Sequence, residues 1–161
     1  MKYLTYLLPL LILILLIGCG AQTAVPTPAT DRVATEAPVT QINLSGPVSD
    51  ADSEVSGMAW YGDWLILLPQ YPSRVENSLY ALPKADILAY LDSGSSEPLT
   101  PQPISLSAPG MTSLSGYQGL EAIVFDGETL YVTFEARVSG DMLSYLLAGE
   151  IAKDLSEVTL D

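Results

Sequence analysis

Beyond residue 50 the apolar positions fall into short runs broken by glycine-containing turns, a pattern of β-strands more than of amphipathic helices. The run Met58-Ala59-Trp60-Tyr61 meets Gly62-Asp63 and continues as Trp64-Leu65-Ile66-Leu67-Leu68. Leu120 to Phe125 likewise meets Asp126-Gly127 and continues through Leu130-Tyr131-Val132-Thr133-Phe134. Asp-Gly between apolar runs is a strong hairpin signal, because the favoured turn wants positive φ at both central positions. Both hairpins carry apolar residues at adjacent positions, Leu67 with Leu68 and Ile123 with Val124. A strand apolar on both faces is covered on both, as when sheets stack against one another.

The two hairpins continue alike. Ser78-Leu79-Tyr80-Ala81-Leu82 leads into Pro83-Lys84-Ala85-Asp86, and Ser144-Tyr145-Leu146-Leu147-Ala148 leads on to Lys153-Asp154. A fourth run follows each, near Ile104-Ser105-Leu106 and at Val158-Thr159-Leu160. Leu82 to Leu91 has the makings of a brief helix, with Ile87, Leu88 and Leu91 on one face. The two units are offset by roughly 65 residues, and repetition of this kind marks an architecture of similar sheets. The fold class expected is all-β, with four-stranded antiparallel blades of the β-propeller type, one at about residues 54–108 and the other at about 117–161. Closed propellers use about 4 to 8 blades, so residues 49–161 read as an incomplete propeller and the chain as an N-terminal fragment. A complete chain would instead have to oligomerise or form a two-sheet sandwich.

The first 18 residues have a different pattern. Lys2 supplies a positive start, and an apolar run from Leu7 to Ile17, broken only by Pro9, ends at Leu16-Ile17-Gly18-Cys19. A membrane-spanning helix needs about 20 apolar residues, so this run reads as the core of a signal peptide. The Leu-Ile-Gly-Cys ending resembles the bacterial lipobox. That resemblance implies cleavage after Gly18 and diacylglyceryl attachment to Cys19, making residues 1–18 a lipoprotein signal peptide. Two acyl chains are enough for stable anchoring. Residues 19–48 are rich in Thr, Ala and Pro, as in Ala24-Val25-Pro26-Thr27-Pro28, and read as a disordered, lipid-anchored linker. The expected location is the cell envelope, on the extracytoplasmic face of a membrane.

Charge narrows the partners. The chain has 19 acidic and six basic residues, a formal net charge of −13, and loss of Lys2 would make it more acidic still. Such a surface repels nucleic-acid phosphates and anionic lipid headgroups, so no nucleic-acid partner is expected and membrane attachment falls to the lipid on Cys19. The chain has no histidine and one cysteine. That excludes a Ser-His-Asp triad, a Cys-His dyad and an internal disulfide, and it leaves Ser56, Ser113 and Ser115 without a partner base.

The phrases Ser56-Gly57-Met58-Ala59-Trp60 and Gly119-Leu120-Glu121-Ala122-Ile123, each leading into a hairpin, resemble the blade openings of the phytase-like, or esterase-like, β-propeller family. The resemblance spans about residues 50 to 135 and departs from the commoner pattern at Met58 and Ala122. It implies a ring of six or seven blades with a ligand at its axial mouth. Any catalysis would act on phosphoesters or esters with calcium. It carries over Glu54 and Glu121 as acidic groups facing the channel, and Glu135, ending a strand at the rim, is a third ligand or metal candidate. Without His or a spare Cys, a metal site would consist of oxygen donors, which suits calcium; no other cofactor is indicated. Asp50, Asp52 and Glu54 alternate and read as a solvated acidic lead into the first strand. Trp60, Tyr61 and Trp64 are expected to pack between blades in preference to forming a sugar-stacking platform. Two readings stand: a binding module for a ligand or protein partner, and a calcium-assisted hydrolase.

Overall fold

The computed structural model describes Ala37, residues 39–111 and residues 113–161. The expected signal peptide, Cys19 and most of the expected linker lie outside the described residues. Eight strands follow in order: β1 (Val55–Tyr61), β2 (Trp64–Pro69), β3 (Ser78–Pro83), β4 (Gln102–Ser107), β5 (Tyr117–Asp126), β6 (Thr129–Val138), β7 (Asp141–Ile151) and β8 (Glu157–Leu160). Among the described residues one α-helix, α1 (Lys84–Ser93), lies between β3 and β4. No helix among the described residues is long and apolar enough to cross a membrane.

The hairpins fall where the turn signals put them, with one change in detail. Tyr61 pairs with Trp64, and Asp126 with Thr129, so the central residues are Gly62-Asp63 and Gly127-Glu128. Glycine takes the first central position in both, at φ 56° and 63°, while Asp63 and Glu128 need no positive φ. The loops are therefore of the Gly-X kind and not Asp-Gly. A third hairpin joins β6 to β7 through Ser139 and Gly140, at φ 53° and 98°. In α1 the buried residues are Ile87 and Tyr90, whereas Leu88 and Leu91 are exposed. The helix turns a different face inward from the one its leucines suggested.

All eight strands belong to one mixed sheet, in the order β1-β2-β3-β4-β8-β7-β6-β5. Each repeat is an antiparallel meander, and β4 pairs in parallel with β8. At the other edge β1 lies beside β5: the Ser56 hydroxyl donates to the Leu120 carbonyl at 2.7 Å, and the Tyr61 and Phe125 rings stand 5.2 Å apart. The result is all-β and nearly closed. The two meanders are joined into one sheet and do not stand as separate blades.

The main core fills the space between the meanders, with Ile66, Leu68, Leu79 and Ile104 on one side and Leu120, Leu130, Val132 and Val158 on the other. A smaller cluster, with Leu67, Tyr80, Leu82, Ile87 and Val48, lies on the far side of β2 and β3. Leu67 and Leu68 are thus both buried, as expected for that pair, whereas of the second pair Ile123 is buried and Val124 is exposed, because no strand covers that side of β5. Val48 is buried there and Leu44 bridges to Leu99. The stretch from Ile42 to Val48, expected to belong to the linker, therefore packs against the sheet. Ile42, Leu44 and Val48 have a surface to cover in the apolar far side of β2 and β3.

The strand register aligns the two repeats residue by residue. Ile66 pairs with Ala81, and its counterpart Tyr131 pairs with Ala148. By the same alignment Leu79 corresponds to Leu146 and Leu67 to Val132. Leu79 is 0% exposed and Leu146 is 65% exposed. The face that the first meander lays on the second is, on the second meander, bare. Leu79→Ala is accordingly expected to cost about 2–5 kcal/mol as a cavity in the core. Leu146→Ala should stay within about 0.5 kcal/mol of wild type, and urea denaturation of the two variants would check both values.

Candidate functional site

The three carboxylates singled out from the sequence have different surroundings. Glu54 closes a short 3-10 turn (Ala51–Ser53) in the left-handed region, at φ 44°. Its carbonyl accepts from the Gln70 backbone N–H at 2.8 Å, and its carboxylate lies 3.8 Å from the Arg74 guanidinium. Glu121 sits at an irregularity in the β5–β6 register and accepts from the Gln70 side-chain amide at 3.1 Å. Glu135 lies across from Gly119 in the ladder and accepts weakly from the Ser144 hydroxyl at 3.4 Å. Gln70 therefore joins the Glu54 backbone to the Glu121 carboxylate, while the Glu54 carboxylate turns to Arg74 and Glu135 is held separately. Among the described residues no group of three or more acidic, His or Cys side chains is placed to hold a metal. Asp50, the first of the alternating acids, caps the 3-10 turn by accepting from the Asp52 N–H.

Gln70 is the residue the sequence gave no reason to select. A glutamine at a strand end matches no motif, and its role comes from its neighbours in space. Its carbonyl accepts from the Leu120 N–H at 2.8 Å and from the Tyr117 hydroxyl at 3.3 Å. Gly119, at φ 125°, lies so close that a Cβ there would collide with the Gln70 side chain. Tyr71 meets Tyr117 edge-on at 6.5 Å, and the Arg74 guanidinium covers the Tyr71 ring at 3.9 Å. Burial, with Tyr71 and Glu121 nearby, pushes the Tyr117 hydroxyl up to about 12. It is thus a neutral donor at ordinary pH and no base. This end of the strands ties the repeats together.

The opposite end is open. The tips of the first two hairpins enclose a cleft of about 550 Å³ lined by Trp60, Tyr61, Asp63, Trp64, Phe125 and Lys153, with Gly62 and Gly127 in its wall. Tyr61 packs on Phe125 between the meanders, as expected. Trp60 does not: it is 49% exposed, because it points to the side of β1 that no strand covers. The Lys84 ammonium approaches the Trp60 ring at 5.9 Å, and the Lys84 N–H donates to the Asp63 carbonyl at 2.8 Å. Lys153 pairs with Glu128 at 2.8 Å, which holds its ammonium pKa above the usual lysine range.

Compared with family models, curated proteins and solved structures, the chain matches none.

The Tyr117 environment has a consequence for stability against pH. Its pKa is about 12 in the fold, against 10.0 for an unperturbed tyrosine, so the unfolded chain ionises first. The stabilisation is full below about pH 10 and is lost as pH rises towards about 12. Denaturant unfolding over this range should show a steeper loss for wild type than for Tyr117→Phe.

Proposed function

We propose that this protein is a lipid-anchored, extracytoplasmic β-propeller module that binds a ligand or protein partner. The observation carrying this reading is the contrast between Leu79 and Leu146. Like positions in like sheets are covered in one repeat and bare in the next, with Val124 beside the bare face at 57% exposure. A stack of similar sheets with a further neighbour removes the discrepancy, and propeller blades are such a stack. The opening phrases fall on β1 and β5, which run side by side. Their residues suit close approach: a Cβ at Gly57 would lie 3.3 Å from Ala122 Cα and the Ile123 nitrogen, and the Ser56 hydroxyl bonds across to Leu120. In this reading the Ser-Gly phrase serves packing, with no part in chemistry.

The lipobox-like ending at Cys19 supplies the anchor, and the acidic mature surface keeps the folded part off anionic lipid. Cys19→Ser should abolish retention in the membrane fraction and leave a larger, unprocessed precursor on immunoblots. Normal processing and retention of that variant would refute the lipid anchor.

The second reading, a calcium-assisted, phytase-like hydrolase of phosphoesters or esters, is favoured by one neighbourhood: two oxygen donors of the kind calcium takes, the Glu54 backbone carbonyl and the Glu121 carboxylate, both accept from Gln70. A binding module without that chemistry should give no calcium-dependent rise in melting temperature and no turnover of p-nitrophenyl phosphate. A calcium-dependent rise lost in Glu121→Gln, together with turnover, would favour the hydrolase.

A further inference from the structure

We propose that the cleft between the first two hairpin tips binds a neutral saccharide, with one sugar ring stacked on Trp60. This rests on the reading of the protein as an extracytoplasmic binding module and names the class of ligand for its rim.

The cleft gathers residues that are scarce elsewhere. Both tryptophans of the chain line it. Of three lysines in the sequence, Lys153 lines the cleft and Lys84 comes within 5.9 Å of the Trp60 ring from the adjoining hollow beside α1. The repeat does not demand this. The counterpart of Trp64 is Thr129, so strand geometry at that position does not require an indole. The counterpart of Trp60 is Phe125, which packs against the core, whereas Trp60 keeps half its surface in water.

Charge selects the ligand. The chain as a whole is strongly acidic, yet the charged residues lining this cleft are one carboxylate, Asp63, and one ammonium, Lys153, and they balance. A free cation meets the ammonium and a free anion meets the carboxylate. A neutral polyol finds an acceptor in the one and a donor in the other. A pyranose also has a flat C–H face, and an exposed indole offers a wide, rigid surface to cover it. The volume, about 550 Å³, falls within the range of small-molecule sites.

The experiment uses the full chain in detergent micelles, with chitotetraose, cellotetraose and maltotetraose as neutral probes and tetragalacturonate as the anionic one. Because both tryptophans line the cleft, tryptophan emission reports on it directly, and calorimetry gives the affinity independently. The expected result is a saturable blue shift with at least one neutral probe. Binding should weaken about tenfold or more in Trp60→Ala, recover in part in Trp60→Tyr, and be unchanged in Leu146→Ser on the bare sheet face. Binding of tetragalacturonate alone, binding unaffected by Trp60→Ala, or no binding by any neutral probe would each overturn the proposal. If saccharide binding fails while retention still depends on Cys19, the saccharide assignment falls alone. Failure of both removes the anchored module as well.

Discussion

Two four-stranded meanders, each with an apolar face to hide, must come close enough to exclude water between them. Everything else in the fold depends on that contact. At one edge the requirement is met by small groups: Gly57 lets β1 approach the β5 backbone, and Ser56 satisfies the Leu120 carbonyl that the approach would otherwise strand. At the other edge β4 and β8 pair in parallel. Between them the aliphatic core needs only alternation along each strand, and Leu130, Val132, Phe134 and Ala136 supply it on β6.

The two ends of this structure are built for different purposes. At the Gln70 end, donors and acceptors are matched across the repeats, and the aromatic rings of Tyr71 and Tyr117 close over them. Polar groups that are satisfied by one another have little left to offer a ligand. At the hairpin tips the rings are partly uncovered and the charged groups lie near water. Recognition commonly falls on loops held by a rigid frame, and the Gln70 contacts supply that rigidity at a distance.

Much of the fold was legible because it is local. Gly62 and Gly127 marked the hairpins, adjacent apolar residues at Leu67 and Leu68 marked burial on two faces, and the repeat showed in the similar order of runs. What could not be read depends on contacts between residues far apart in sequence. The parallel pairing of β4 with β8 leaves no turn signature, and the second turn shifted by one residue, to Gly127-Glu128, because glycine, not aspartate, takes the positive φ. Ile42 to Val48 looked like the end of a linker, since nothing in their own composition reveals the sheet surface they cover. The candidate site divided in the same way. Tyr61 was placed correctly because its strand neighbours fix its face, but Trp60, one position earlier, points the opposite way. Gln70 became important only through Leu120, Tyr117 and Glu121, all about 50 residues away.

The helix α1 and the Ile42–Val48 stretch cover the outer side of the first meander, on β2 and β3, while the outer side of the second meander, around Leu146, has no such cap among the described residues. The two outer faces of the sheet therefore differ. One is sealed by chain that belongs to the molecule itself, so a second copy meeting it head-to-tail would have to displace that seal, which works against the open-ended fibres such contacts can generate.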